Sequence, residues 1–76
     1  MKADNFSKEL GTWLAKKRKK AHLTQQQAAD LMGCANTRIS NWEHGIRDMS
    51  AKELVRYCEI IQADLDEFVD ILKGEK

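Results

Sequence analysis

One interior glycine constrains this chain more than any other residue. Gly33 stands between two short helical patterns in the stretch Thr24 to Gly45, TQQQAADLMGCANTRISNWEHG. A glycine at that point supplies the positive φ that ends a helix without a Cβ clash. Thr24 is a suitable N-cap, and Gln27, three residues on, completes a capping box, so a helix is expected from Gln25. Within it, Ala28, Ala29 and Met32 recur at the three- and four-residue spacing that shares one face. Small residues on that face let another helix approach closely. After a turn through Cys34 and Ala35, Asn36 is the candidate cap of a second helix, with Ile39, Trp42 and Glu43 on its inward side. The outer side carries Thr37, Arg38, Ser40, Asn41 and His44, short or forked hydrogen-bonding groups that match base edges and phosphates.

These residues resemble the helix-turn-helix DNA-binding domain of the lambdoid phage repressors and Cro proteins, also called the XRE type. With Gln25 as the first motif position, Ala29 falls on the family's small residue, Gly33 on its turn glycine, and Ile39 and Trp42 on the inward positions of the recognition helix. Ala28, Met32 and Cys34 fill the remaining apolar positions. Leu10, Leu14 and Arg18 look like the family's first helix, and its E-x-G-x-R tail reads here as Glu43-His44-Gly45-Ile46-Arg47. The likeness covers roughly residues 7 to 72. It implies an all-α, compact five-helix lambda-repressor-like fold, with residues 1–76 as a single domain and the motif at 25–44.

The rest of the chain supplies the helices that this fold requires. Phe6, Leu10, Trp13 and Leu14 form one apolar face, with Ser7 as the candidate cap of that first helix. Ser50 and Glu53 make another capping box before Leu54, Val55, Cys58 and Ile61, and Asp64 with Glu67 repeats the signal before Leu65, Phe68, Val69 and Leu72. Strand-like alternation, internal repeats and low-complexity stretches are absent from the sequence.

Composition excludes several classes. A chain of 76 residues supports one small core, burying about 60% of its unfolded surface, and leaves no room for a deep substrate cavity. No apolar run approaches the roughly 18 residues needed to span a membrane, and no signal-peptide pattern is present, so a cytoplasmic location is expected. Cys34 and Cys58 lack C-x-x-C spacing and read as small buried hydrophobes, and His22 and His44 add no cluster. Neither a metal nor a cofactor is expected, and no small-molecule ligand is evident. The net charge is only +1, but it is unevenly placed. Residues 1 to 25 carry seven Lys/Arg against two Asp/Glu, whereas residues 51 to 76 carry four against seven. That asymmetry is expected to turn the basic end toward phosphate and the acidic end away.

Arg18 continues the Leu10, Leu14 stripe at a spacing of four and therefore points toward the core. A buried arginine needs a partner, and the resemblance supplies one in Glu43. Losing either side would strand a charge at a cost of about 3 to 5 kcal/mol.

The resemblance also assigns DNA contacts. Gln25 opens the second helix, where its side chain and the free amides can hold a phosphate. Asn36, Thr37 and Asn41 take the base-facing positions, where asparagine suits adenine and the threonine methyl suits thymine. Arg38 can read a guanine or clamp a phosphate, with phosphate favoured. Ser40, His44 and Arg47 are backbone contacts. Leu65, Phe68, Val69 and Leu72 give the last helix more apolar surface than a terminal helix easily buries, and a homodimer would cover it; the alternative is that they close the monomer core. Two-fold pairing would match a pseudo-palindromic operator with half-sites about 34 to 36 Å apart.

Two departures concern loops. His22 stands where the family turns on glycine, and Asp48-Met49-Ser50 replaces a segment that commonly holds proline. Three functions are weighed: a repressor of transcription acting on double-stranded DNA as a stand-alone domain, an antitoxin or adaptor on the same fold, and an enzyme. The polar outer face of the second motif helix disfavours the adaptor, which needs exposed apolar anchors. An enzyme lacks a nucleophile, base and orienting residue that could be assembled from these positions.

Overall fold

A computed structural model describes residues 3–74 as five helices: α1 Ala3–Lys20, α2 Gln25–Met32, α3 Asn36–Glu43, α4 Ala51–Ile60 and α5 Leu65–Gly74. No strand occurs among the described residues. α3 packs against both α2 and α1, and α4 against α2, so the second helix of the motif is gripped from two sides.

Four of the five helices end in the same way. After each, one residue takes left-handed backbone: His22 at φ 64°, Gly33 at 77°, Gly45 at 72° and Gln62 at 58°. In every case the next amide reaches back five residues, as Leu23 N to Arg18 O, Cys34 N to Ala29 O, Ile46 N to Asn41 O and Ala63 N to Cys58 O. This is the Schellman closure, and it satisfies carbonyls that the helix end leaves orphaned. His22, which stands where the resembling family turns on glycine, takes this conformation as a non-glycine residue, and Gln62 does the same. The N-termini of α2 and α4 carry the expected capping boxes, Thr24 with Gln27 and Ser50 with Glu53.

Three expected helix starts differ. α1 begins at Ala3, so Ser7 lies inside it, and the Ser7 hydroxyl donates to Asp48 Oδ1 at 2.7 Å instead of capping. Asn36 is the first residue of α3, and Ala35 occupies the cap with no side-chain hydrogen bond, which leaves the Asn36 side chain exposed. At α5, Asp64 accepts from Asp66 N at 3.0 Å, but Glu67 closes no box because its carboxylate reaches Lys17 Nζ at 2.7 Å.

The core gathers Leu10, Trp13, Leu14, Ala28, Ala29, Ile39, Trp42, Tyr57, Cys58, Ile61 and Phe68. Cys58 is buried and Cys34 half-buried, and both are free thiols. Tyr57, which the apolar stripe of α4 did not include, is fully buried, while Val55 is exposed to 53%. The stripe therefore runs one residue further round the helix, through Leu54, Tyr57, Cys58 and Ile61, the ordinary three- and four-residue spacing. Small residues also matter beyond α2. A β-carbon on Gly11 would lie 2.5 Å from Glu43 O and closer still to Trp42 O, so α1 crosses the end of α3 at backbone contact.

Candidate nucleic-acid interface

The second motif helix is positioned by a buried carboxylate. Glu43, in the last turn of α3, accepts from Arg18 Nε at 2.6 Å and from Arg18 Nη2 at 3.1 Å, a forked pair with both side chains almost wholly out of water. Arg18 Nη1 continues to Leu23 O at 2.7 Å. Gln25 Nε2 donates to the same carboxylate at 2.9 Å, and the Tyr57 hydroxyl lies 3.5 Å from it. Four elements thus meet at one charged group: α1, the start of α2, the end of α3 and α4. Two parallel N–H bonds fix the plane of the carboxylate as well as its distance. The hydrogen bond to Glu43 raises the Arg18 pKa further above its already high value, and burial lifts the Tyr57 phenol well above its usual range. Both groups therefore keep a single protonation state across accessible pH.

With Ile39, Trp42 and Glu43 buried, helical geometry turns Thr37, Ser40, Asn41 and His44 away from the core, while Asn36, three and seven positions before Ile39 and Glu43, lies in line with the inward residues and reaches solvent only because it opens the helix. Asn36, Thr37 and His44 are exposed, and Ser40 and Asn41 are half-buried. His44 Nδ1 lies 2.8 Å from Ser40 O, which fixes the ring and leaves its Nε2 edge outward. Beyond α3, Gly45 folds the chain against α1, since a β-carbon there would meet the Lys8 backbone at 2.9 Å. The amides of Ile46 and Arg47 both reach Asn41 O, at 2.9 and 3.4 Å, so exposed Arg47 is held on a loop tied to α3.

Two of the residues expected at the DNA surface have side-chain partners on another helix. Gln25 is half-buried, with one amide hydrogen committed to Glu43. Arg38 is half-buried and pairs with Glu53 of α4 at 3.1 Å, which draws it sideways from the ridge. Glu53 had a visible signal as a capping residue, but its second role depends on how α4 crosses α3. The basic end is less uniformly directed outward than its charge count suggests, because Lys17 is bound to Glu67 of the acidic last helix.

The apolar residues of α5 divide. Phe68 is buried, with its ring centroid 5.2 Å from that of Trp13 and 6.0 Å from that of Phe6. Leu65 packs partly against the core, whereas Val69, Ile71 and Leu72 are exposed to 40%, 53% and 42%. Among the described residues, no helix is long and apolar enough to cross a membrane, and no three His, Cys, Asp or Glu side chains are grouped to hold a metal.

Residues 14–68 match the helix-turn-helix family. Among solved structures, the clp gene regulator ClgR from C. glutamicum superposes with a TM-score of 0.77 at 21% sequence identity, covering 80% of this chain and 78% of that one. At that identity the likeness establishes the fold. No curated protein sequence matches the chain.

Proposed function

The chain belongs to the XRE-type helix-turn-helix family of DNA-binding regulators, and from that premise we propose that it is a repressor that reads a pseudo-palindromic operator through the major groove as a homodimer. The observation carrying this reading is the polar ridge of α3, anchored from behind by the Arg18–Glu43 pair. A helix entering a groove must keep its orientation against the phosphate field, and a buried forked ion pair supplies that stiffness. Asn36, Thr37 and Asn41 read bases; Gln25, Arg38, Ser40, His44 and Arg47 hold the sugar-phosphate backbone. Gln25 keeps a second amide hydrogen for phosphate beyond the one given to Glu43.

Dimer contacts fall to Val69 and Leu72, joined by Ile71, with Leu65 at the margin. Phe68 serves the monomer core instead and supports the interface from behind. Repression follows from occupancy, since a protein seated in the groove excludes polymerase from the same site. Selection of bound sequences from a random duplex pool tests the reading: an enriched two-fold site is expected, and the absence of any enriched site at low salt would refute it. Sedimentation with and without that site tests pairing, and a strict monomer in both states would remove the dimer.

A further inference from the structure

A cavity of about 420 Å³ opens between the α2–α3 turn and the first turns of α4, with Arg38, Trp42, Lys52, Glu53 and Arg56 in its walls. Lys52 and Arg56 are four residues apart and so share one face of α4. Arg38 faces them from α3. Three cations and one carboxylate therefore line the same cavity, which leaves an excess of positive charge there. Glu53 offsets one of the charges, and it does so with divided attention: its Oε2 pairs with Arg38 Nη1 at 3.1 Å, while its Oε1 accepts from Ser50 N at 2.9 Å. Trp42 is 2% exposed, and its indole N–H has no hydrogen-bond partner among the described residues.

We infer that this cavity is a binding site for a phosphate-type anion, held by Arg38, Lys52 and Arg56, with Glu53 as the internal group that the anion displaces from Arg38. A guanidinium offers parallel donors that match a tetrahedral oxyanion, and the lysine adds a mobile point charge. The phosphate can come from two sources: the backbone of DNA lying along the flank of α3, or a free phosphate group in solution. The first rests on the DNA-binding reading, and the second does not.

The test uses the full chain, nitrogen-15 labelled and titrated with inorganic phosphate at constant ionic strength, reading the Arg38 Nε–H and Trp42 indole N–H resonances. In parallel, the salt dependence of duplex binding is compared between the parent and the Lys52→Ala/Arg56→Ala double variant, whose substituted residues are exposed and whose fold is checked by its thermal midpoint. Saturable shifts that vanish in the double variant establish the site and identify free phosphate as an occupant. A log–log salt slope lowered by about 1 to 2 in the double variant assigns the site to the DNA backbone. Glu53→Gln retains an acceptor for Ser50 N and releases Arg38, so phosphate is expected to bind several-fold more tightly; weaker binding counts against the displacement. With neither saturable shifts nor a changed slope, the inference is overturned. Should the chain bind no duplex at all, the phosphate titration alone decides it, and the failure belongs to the DNA-binding reading.

Discussion

Arg18 and Glu43 lie 25 residues apart and meet through two hydrogen bonds in the interior, Nε to Oε2 at 2.6 Å and Nη2 to Oε1 at 3.1 Å. The pair joins the long first helix to the last turn of α3, so stability and the orientation of the polar ridge proposed to face DNA depend on the same contact. Burying two charges is costly, and only their mutual satisfaction offsets it. Arg18→Ala leaves Glu43 with Gln25 and Tyr57 as its remaining donors, neither of them charged. The expected loss is about 3 to 5 kcal/mol, comparable with the whole stability of a small domain. Urea denaturation measures it, and an unchanged midpoint would show that the carboxylate is satisfied without the arginine.

Gly11→Ala separates helix propensity from packing. In the interior of an isolated helix, the exchange is worth up to about 1 kcal/mol in favour of alanine. Here the added carbon meets the backbone carbonyls of Trp42 and Glu43, which cannot swing aside as a side chain would. A net destabilisation of about 1 to 3 kcal/mol is expected, accompanied by weaker DNA binding as α3 is pushed from α1. Stabilisation by thermal melting would mean that the two helices separate at little cost.

The left-handed residues at the helix ends give a graded set. Gly33 has no atom within 4 Å of the position where a β-carbon would sit, so Gly33→Ala meets only the backbone penalty of about 1 to 2 kcal/mol. Gly45→Ala adds a collision with the Lys8 backbone to the same φ penalty and is expected to cost more. Conversely, Gln62→Gly relieves a strained residue at an exposed helix end and is expected to stabilise by about 0.5 to 1 kcal/mol, or about 4 to 8 °C in melting temperature per kcal/mol. Calorimetry on the three variants should return that order.

Which of these features can be read before the fold is known depends on their range. Gly33, Thr24 with Gln27 and Ser50 with Glu53 act within a few residues, and their composition alone announces them. Gln62 closes a helix just as Gly33 does, but no local rule favours glutamine there; the packing of Ala63 and Leu65 on the core forces the turn. Asn36 looks like a cap by type, yet the cap falls one residue earlier, since position along a turn is set by how the inward residues Ile39 and Trp42 seat. Gly11 is silent for another reason. Its significance lies in a backbone crossing with residues more than thirty positions away, and nothing in its own neighbourhood records that. The pairing of Arg38 with Glu53 is hidden in the same way, because it arises where α4 passes α3.

Acid should expose the double role of Glu53. Its carboxyl is held below the usual carboxylate range, chiefly by the Ser50 backbone N–H, with the Ser50 hydroxyl and the Arg38 charge adding to it. A folded pKa below the unfolded one means that the native state binds its proton less readily. The stabilisation is therefore fully present above the ordinary value of about 4.3 and is lost as pH falls through the folded pKa. Between about pH 6 and pH 3, the parent should lose more stability than Glu53→Gln, which cannot titrate at this position. Urea midpoints at both pH values decide it, and parallel losses in the two proteins would show that this carboxylate does not contribute to the acid limb.

Asn41 and Arg47 should fail in different ways, although one carbonyl joins them. Asn41 O accepts from the Arg47 amide at 3.4 Å, so the loop carrying the arginine is registered on the helix carrying the asparagine. The asparagine side chain offers a donor and an acceptor together, a match for one edge of adenine, whereas the arginine offers charge and donors alone. Asn41→Ala is therefore expected to relax preference at one or two base pairs of the selected site, at about 1 to 3 kcal/mol for the preferred sequence and little for unrelated DNA. Arg47→Ala should weaken all sequences about equally and lower the log–log salt slope by about 1. Binding measured on the selected site, a one-base variant and unrelated duplex across a salt series separates the two. If Arg47→Ala instead altered sequence preference at constant slope, its side chain would be reading bases and the loop would reach into the groove.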